Sequence, residues 1–201
     1  MQAAMKQLIL FIALLMSYGL SARPTRFFEH YSTDDGLPQN VVTDIVQDRK
    51  GFMWFSTWNG FARFDGKRFK NFRLRSTDSY AISSSRFEHI YEDKLGFIWL
   101  ESYDNKAHRF DPATETFTGL SALESYRNKS FLLSKISIQP SGKVWLISGK
   151  HGCICVLDSA FNIREFTTEN NMLYSDLVYE VYEDKQGDSW ILTDNGLYQL
   201  K

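Results

Sequence analysis

Apolar and polar residues alternate along this chain in short runs that stop at turn-forming residues. Residues 41–47 (VVTDIVQ), 52–57 (FMWFST), 61–64 (FARF) and 68–72 (RFKNF) are rich in β-branched and aromatic side chains with polar residues between them. Short runs with a period of two predict β-strands, whose successive side chains point to opposite faces. No repeat of this pattern holds an apolar stripe at helical spacing; residues 121–130 (SALESYRNKS) predict a short helical turn.

The pattern recurs at a fixed interval. Trp54, Trp99, Trp145 and Trp190 are separated by 45, 46 and 45 residues, and each follows a glycine by three positions: Gly51, Gly96, Gly142 and Gly187. Six positions before each tryptophan stand Asp48, Asp93, Gln139 and Asp184. An acidic or amide residue followed by glycine is turn chemistry between two strands. Four short strands in a period of about 45 residues predict an all-β fold, a β-propeller of four-stranded blades, with residues 23–201 holding about four of them.

Reading down the copies separates two faces of the second strand. One position after each tryptophan is an apolar residue (Phe55, Leu100, Leu146, Ile191), and three after it a hydroxyl residue (Thr57, Ser102, Ser148, Thr193). The tryptophan takes the other face, followed by Ser56, Glu101, Ile147 and Leu192 and then by Trp58, Tyr103, Gly149 and Asp194. Columns that keep their chemistry in all four copies predict packing between blades. The variable last column predicts positions that packing does not dictate.

Ahead of the repeats, Lys6 precedes an apolar run at residues 8–16, and Ser17, Gly19, Ser21 and Ala22 follow. That layout predicts a signal peptide over residues 1–22, too short to span a membrane. The formal charge is -1, with no run of Lys or Arg, so nucleic acid and anionic membrane are not expected partners. Cys153 and Cys155, the two cysteines, lie two apart on one strand face, where a disulfide would strain the backbone; buried free thiols are expected. Neither a metal site nor a cofactor is expected from these spacings.

The stretch from residue 27 to 72, FFEHYSTDDGLPQNVVTDIVQDRKGFMWFSTWNGFARFDGKRFKNF, resembles the two-component regulator propeller repeat. The resemblance rests on Asp35-Gly36-Leu37-Pro38, Gln47-Asp48, Gly51 with Trp54, Thr57, Asn59-Gly60 and Arg63-Phe64-Asp65-Gly66. Later copies match more weakly: Asn195-Gly196 returns, but Asp104-Asn105 and Lys150-His151-Gly152 take its place in the second and third. It implies the exported N-terminal sensor region of a Bacteroidetes hybrid two-component histidine kinase, periplasmic, with the whole sensor anchored in the inner membrane. An oligosaccharide from carbohydrate breakdown is then the implied ligand. The implied partners are the downstream propeller, transmembrane and kinase parts of the same sensor, with a homodimer in the full-length protein. No kinase or receiver motif lies in these residues, so no catalytic residue is assigned. Four copies do not complete the seven-bladed ring of that family, and the expectation is the start of a larger sensor. The alternative is a closed four-bladed ring in which residues 27–31 supply the outer strand of the fourth blade.

In a propeller the loops joining strands two and three share one face with the connections between blades. This predicts a ligand face carrying Trp58, Asn59, Tyr103, Asp104, Asn105, Lys150, His151 and Asp194 beside Gln39 and Asn40. Aromatic faces stack on a pyranose ring, while carboxylates, amides and lysine bind its hydroxyls. For Asn59 and Asn195 a turn role is the stronger reading. For Trp58 and Tyr103 the two readings stand level, since no turn needs a large aromatic. A stand-alone glycan- or protein-binding propeller is the second reading. A propeller lyase or hydrolase is the third, weakened because His30, His89, His108 and His151 share no spacing. Aligned first strands place Asp44, His89, Lys135 and Glu180 in one polar column, predicted to pair along a central channel.

Overall fold

The computed structural model describes residues 28–73, 85–120, 123 and 131–201. The strands all lie in the compact unit Tyr31–Lys201. The first sheet orders β1 (Val42–Gln47), β2 (Met53–Thr57), β3 (Gly60–Phe64) and β4 (Phe69–Phe72) as neighbours. The second holds β5 (Phe87–Glu92), β6 (Ile98–Ser102), β7 (Lys106–Asp111) and β8 (Thr116–Gly119). The third holds β9 (Lys135–Ile138), β10 (Val144–Ile147), β11 (Cys153–Val156) and β12 (Ile163–Phe166). The fourth is β13 (Val178–Glu183), β14 (Ser189–Thr193) and β15 (Gly196–Leu200). Each sheet is antiparallel throughout, as short hairpin connections require.

One expectation changes. Residues 28–31 carry no strand, and the fourth sheet has three strands among the described residues. The segment after them instead forms a 3-10 turn, Thr33–Asp35, capped reciprocally by Ser32 and Asp35 and closed by Gly36 at φ 106. The helical turn predicted at 121–130 falls, Leu123 apart, outside the described residues, as does the signal peptide.

The aspartate of the repeat does more than shape a turn. One oxygen of Asp48 accepts the backbone N–H groups of Lys50 and Phe52, each at 2.9 Å, and the other accepts the Trp54 indole N–H at 2.8 Å. Asp93 and Asp184 repeat the arrangement, with indole bonds of 2.7 and 2.8 Å to Trp99 and Trp190. A buried indole donor needs an acceptor, and a carboxylate at a tight turn serves the turn and the core together. Gln139 breaks the series. Its amide reaches the fourth sheet instead, donating to the Val181 carbonyl at 2.9 Å and accepting from the Glu183 N–H at 2.7 Å. Trp145 Nε1 is then left without an acceptor among the described residues.

Blades pack in sequence, tryptophan face onto apolar face. Trp54, Phe61 and Phe72 of the first sheet meet Phe87, Ile90, Ile98 and Leu100 of the second. Trp99 meets Ile136, Val144 and Leu146 of the third in the same way, and Trp145 meets Val178, Val181 and Ile191 of the fourth. Trp54, Trp99 and Trp145 are fully buried, whereas Trp190, with no sheet packed over it among the described residues, is half-buried. The hydroxyl column predicted to pack blades closes hairpins instead. Thr57 Oγ1 donates to the Gly60 carbonyl at 2.8 Å and accepts from the Asn59 N–H at 3.1 Å, and Thr193 does the same for Asn195 and Gly196.

Candidate functional site

Strands β2 and β6 end in tight hairpins that lift the next side chain out of the sheet. Trp58 follows Thr57 and Tyr103 follows Ser102, and the two rings are 44% and 57% exposed. Arg86, just ahead of β5, joins them. Its carbonyl accepts the Tyr103 N–H at 2.9 Å, and its guanidinium carbon lies 3.9 Å from the Trp58 ring centre and 4.1 Å from that of Tyr103. Aromatic residues from neighbouring blades therefore share one cation, a contact of about 0.5–2 kcal/mol per ring according to how well it is desolvated.

The other predicted ligand residues are used mostly by the fold. Asn40 accepts the Thr33 N–H at 2.8 Å and Gln39 the Val41 N–H at 2.8 Å, which anchors the 3-10 turn and the entry to β1. The Asn59 amide reaches the Pro38 carbonyl at 3.5 Å. Asp104 accepts from Ser102 Oγ at 2.5 Å and pairs with Lys106 at 2.9 Å. Asn105 takes the left-handed position of its hairpin at φ 58, and its backbone carbonyl accepts the Leu133 N–H at 2.8 Å. Lys150 and His151 donate their backbone N–H groups to Ser148 Oγ, and Asp194 donates its own to the Leu177 carbonyl at 3.3 Å. No hydrogen bond or ring contact among the described residues joins Lys150, His151 or Asp194 to the pair Trp58 and Tyr103.

Arg86 lies just ahead of β5, outside the hairpin loops on which the ligand-face expectation rests. A signal was present nonetheless. Offset by the repeat interval, its counterparts are Val41, Leu132 and Leu177, so an arginine stands where the other copies are aliphatic.

The inner polar column pairs as expected. His89 Nδ1 lies 3.4 Å from Asp44 Oδ2, which also accepts the Ile90 N–H at 3.1 Å, and Lys135 pairs with Glu180. Glu101 accepts the Ile136 N–H at 2.6 Å and the Tyr91 hydroxyl at 3.2 Å, and burial pushes its carboxyl above the ordinary range. These carboxylates hold adjacent blades at their inner edges. His108 is buried against Ser102 Oγ at 3.1 Å, and burial lowers its pKa to about 4. Cys153 and Cys155 are free and buried beside Trp145, with burial raising their thiols to about 12 and about 11. Among the described residues no three His, Cys, Asp or Glu side chains converge as metal ligands.

Comparison with known proteins follows the same lines. Residues 36–59 match the family described as two component regulator propeller. Histidine kinase P4 of Formosa agariphila is 37% identical over 83 residues, covering 39% of this chain and 6% of that protein. Among solved structures, the extracellular domain of a B. thetaiotaomicron protein described as a hybrid two component system aligns at 18% identity and TM-score 0.56. The alignment covers 86% of this chain and 30% of that one. Virginiamycin B lyase from Staphylococcus aureus aligns at 17% identity and TM-score 0.50, over 78% of this chain and 54% of the lyase. The chain thus spans 6% of the kinase, 30% of the extracellular domain and about half of the lyase, and likeness to the two structures at such identities speaks for the fold. Strands, blade order and structural likeness agree that the chain folds as β-propeller blades, and its residues 36–59 match the two component regulator propeller family.

Proposed function

We propose that this chain is the ligand-sensing propeller part of an exported hybrid two-component sensor and that it recognises a carbohydrate breakdown product. The observation that carries the sensor reading is the 37% identity to a histidine kinase over 83 residues. The half-exposed Trp58 and Tyr103 support the carbohydrate reading, because their hairpins are closed by Thr57 and Ser102 without them. Residues 1–22 direct export, and the periplasmic blades continue into membrane and kinase parts that carry the signal. A saccharide bound more tightly in one arrangement of those parts than in another shifts their equilibrium by that difference in affinity.

Thermal melting of the chain with a panel of defined neutral and acidic oligosaccharides tests the reading. A ligand at about 100 times its Kd stabilises by about 2.7 kcal/mol, which raises Tm by roughly 5–10 °C for a domain of this size. A panel in which no saccharide moves Tm would remove the carbohydrate half of the reading.

A further inference from the structure

Two loops far apart in the sequence are built alike. Residues 31–40 lead into the first sheet, and residues 166–176 lead from β12 into the fourth. The Ser32 N–H donates to Asp35 Oδ2 at 2.8 Å, and the Thr167 N–H to Asn170 Oδ1 at 3.1 Å. The Thr33 N–H donates to Asn40 Oδ1 at 2.8 Å, and the Thr168 N–H to Asp176 Oδ1 at 2.7 Å. Leu37 and Leu173, both buried, close the loops with N–H bonds to the Ser32 and Thr167 carbonyls, at 3.2 and 3.0 Å. By this match residues 28–31 correspond to β12, which is the outer strand of its sheet. The side chains agree. Ile163-Arg164-Glu165-Phe166 is apolar at both ends with two polar residues between, as are Phe69-Lys70-Asn71-Phe72 of β4 and Phe28-Glu29-His30-Tyr31. The last apolar residue sits on the sheet that follows: Phe166 joins Val178, Val181 and Ile191, and the Tyr31 ring centre lies 5.2 and 5.6 Å from those of Phe64 and Phe69. Residues 28–31 thus have the sequence and the exit loop of an outer strand while forming no strand here, and Phe28 is 99% exposed.

A matching edge lies on β15, along whose outer side no strand pairs among the described residues. Outer strands meet third strands in one register. Phe61 faces Phe72 and Phe64 faces Phe69 in the first sheet; Cys153 faces Phe166 and Val156 faces Ile163 in the third. Phe61 and Cys153 each follow the hairpin glycine, as Leu197 follows Gly196. Carried to β15, this register sets Leu197 opposite Tyr31 and Leu200 opposite Phe28, apolar against apolar at both places. Leu197 is 58% exposed. We propose that residues 28–31 of a second copy of this chain add to β15 as the outer strand of the fourth sheet. Main-chain hydrogen bonds along the edge supply affinity, and the Phe28 and Tyr31 pairings fix the register. A second copy is the fitting donor because the same chain leaves both elements without the pairing, residues 28–31 as no strand and β15 at the end of a three-stranded sheet. Its arrival also brings the second copy's Phe64 and Phe69, on which Tyr31 sits, towards the tryptophan side of the fourth sheet. That contact continues the interface formed three times within one copy. Reciprocal exchange closes the pair, and the proposal stands apart from the sensor reading.

Cysteine pairs in the full chain test the register. Phe28→Cys mixed with Leu200→Cys should form a mixed disulfide, because facing residues of an antiparallel pair lie about 4.5–5.5 Å apart, within disulfide reach. Phe28→Cys mixed with Gln199→Cys, whose side chain points to the other face, should form far less; the native Cys153 and Cys155 are buried and common to every sample. The double variant Phe28→Cys/Leu200→Cys should cross-link into dimers. Sedimentation gives a second measurement that needs no cysteine. Wild type should show a monomer–dimer equilibrium, and Phe28→Glu should raise its Kd at least about tenfold, the loss of one large apolar side chain from the interface. The monomer's Tm should not change, since Phe28 is exposed there. Wild type that stays monomeric, Phe28→Glu that associates as well as wild type, or equal cross-linking at positions 199 and 200 would overturn the proposal. Closure of the double variant within single chains would overturn the second copy as the donor.

Discussion

Trp54 and Trp58 stand four residues apart, and their surroundings set them to different tasks. Trp54 is fully buried with its indole on Asp48; Trp58 is half exposed and stacked on Arg86. The first role was legible in the chain, because Trp99, Trp145 and Trp190 repeat it at the same interval. The carboxylate partner was not, since spacing alone does not say that a hairpin returns an aspartate to the indole six residues on. Replacing Asp93 with Ala removes the acceptor for two backbone N–H groups and a buried indole. The expected loss is about 2–4 kcal/mol, read from urea unfolding. His108 gives a pH signature. Its folded pKa of about 4 lies below its unfolded value near 6.5. The unfolded chain therefore binds the proton first, and stability present above pH 6.5 is lost as pH falls towards 4. The loss is on the order of 3 kcal/mol, and His108→Gln should flatten that part of the stability profile measured by thermal melts.

At the scale of the strand and its hairpins, periodicity carried most of the information. The four strands of the first copy begin within one residue of where alternation and turn residues place them. The role of the hydroxyl column was not legible, because alternation assigns a face but cannot show that Thr57 turns back on its own loop. Glycine positions that look alike in sequence also separate here. Gly51 and Gly60 both have positive φ, 89 and 100, which favours glycine in either case. A Cβ on Gly51 meets nothing within 4 Å, whereas one on Gly60 falls 2.4 Å from the Phe72 carbonyl oxygen. Gly60→Ala should therefore destabilise more than Gly51→Ala, the latter by about 1 kcal/mol, in paired unfolding titrations.

Across the whole molecule, three internal interfaces explain the chemistry of the two outer faces. Among the described residues no sheet packs on the apolar side of the first sheet, where Val42, Ile45, Phe55 and Phe69 line a cavity of about 420 Å³. Among the same residues none packs on the tryptophan side of the fourth sheet, where Tyr182, Leu192 and Leu197 are exposed about the half-buried Trp190. Each matches one half of an interface that forms three times between blades, and exposed apolar sheet faces of this kind seek cover. Sedimentation of the chain should show concentration-dependent association, and Leu192→Lys should reduce it without lowering Tm. The blade count and order were legible from the repeat. Of the ten residues that topology places on the candidate face, hydrogen bonding commits the side chains of Gln39, Asn40 and Asp104 to loops, and Asn105 takes a left-handed hairpin position. Arg86 meets Trp58 and Tyr103 by a side chain crossing between blades, and in the sequence only comparison of the copies marks it.

What separates ligand from fold most directly is Trp58. Calorimetric titration of Trp58→Ala with whichever oligosaccharide stabilises the wild type should show affinity reduced at least about tenfold in a protein whose Tm is little changed, as for a stacking aromatic at a site centre. Equal affinity in the folded variant would contradict a binding role for Trp58.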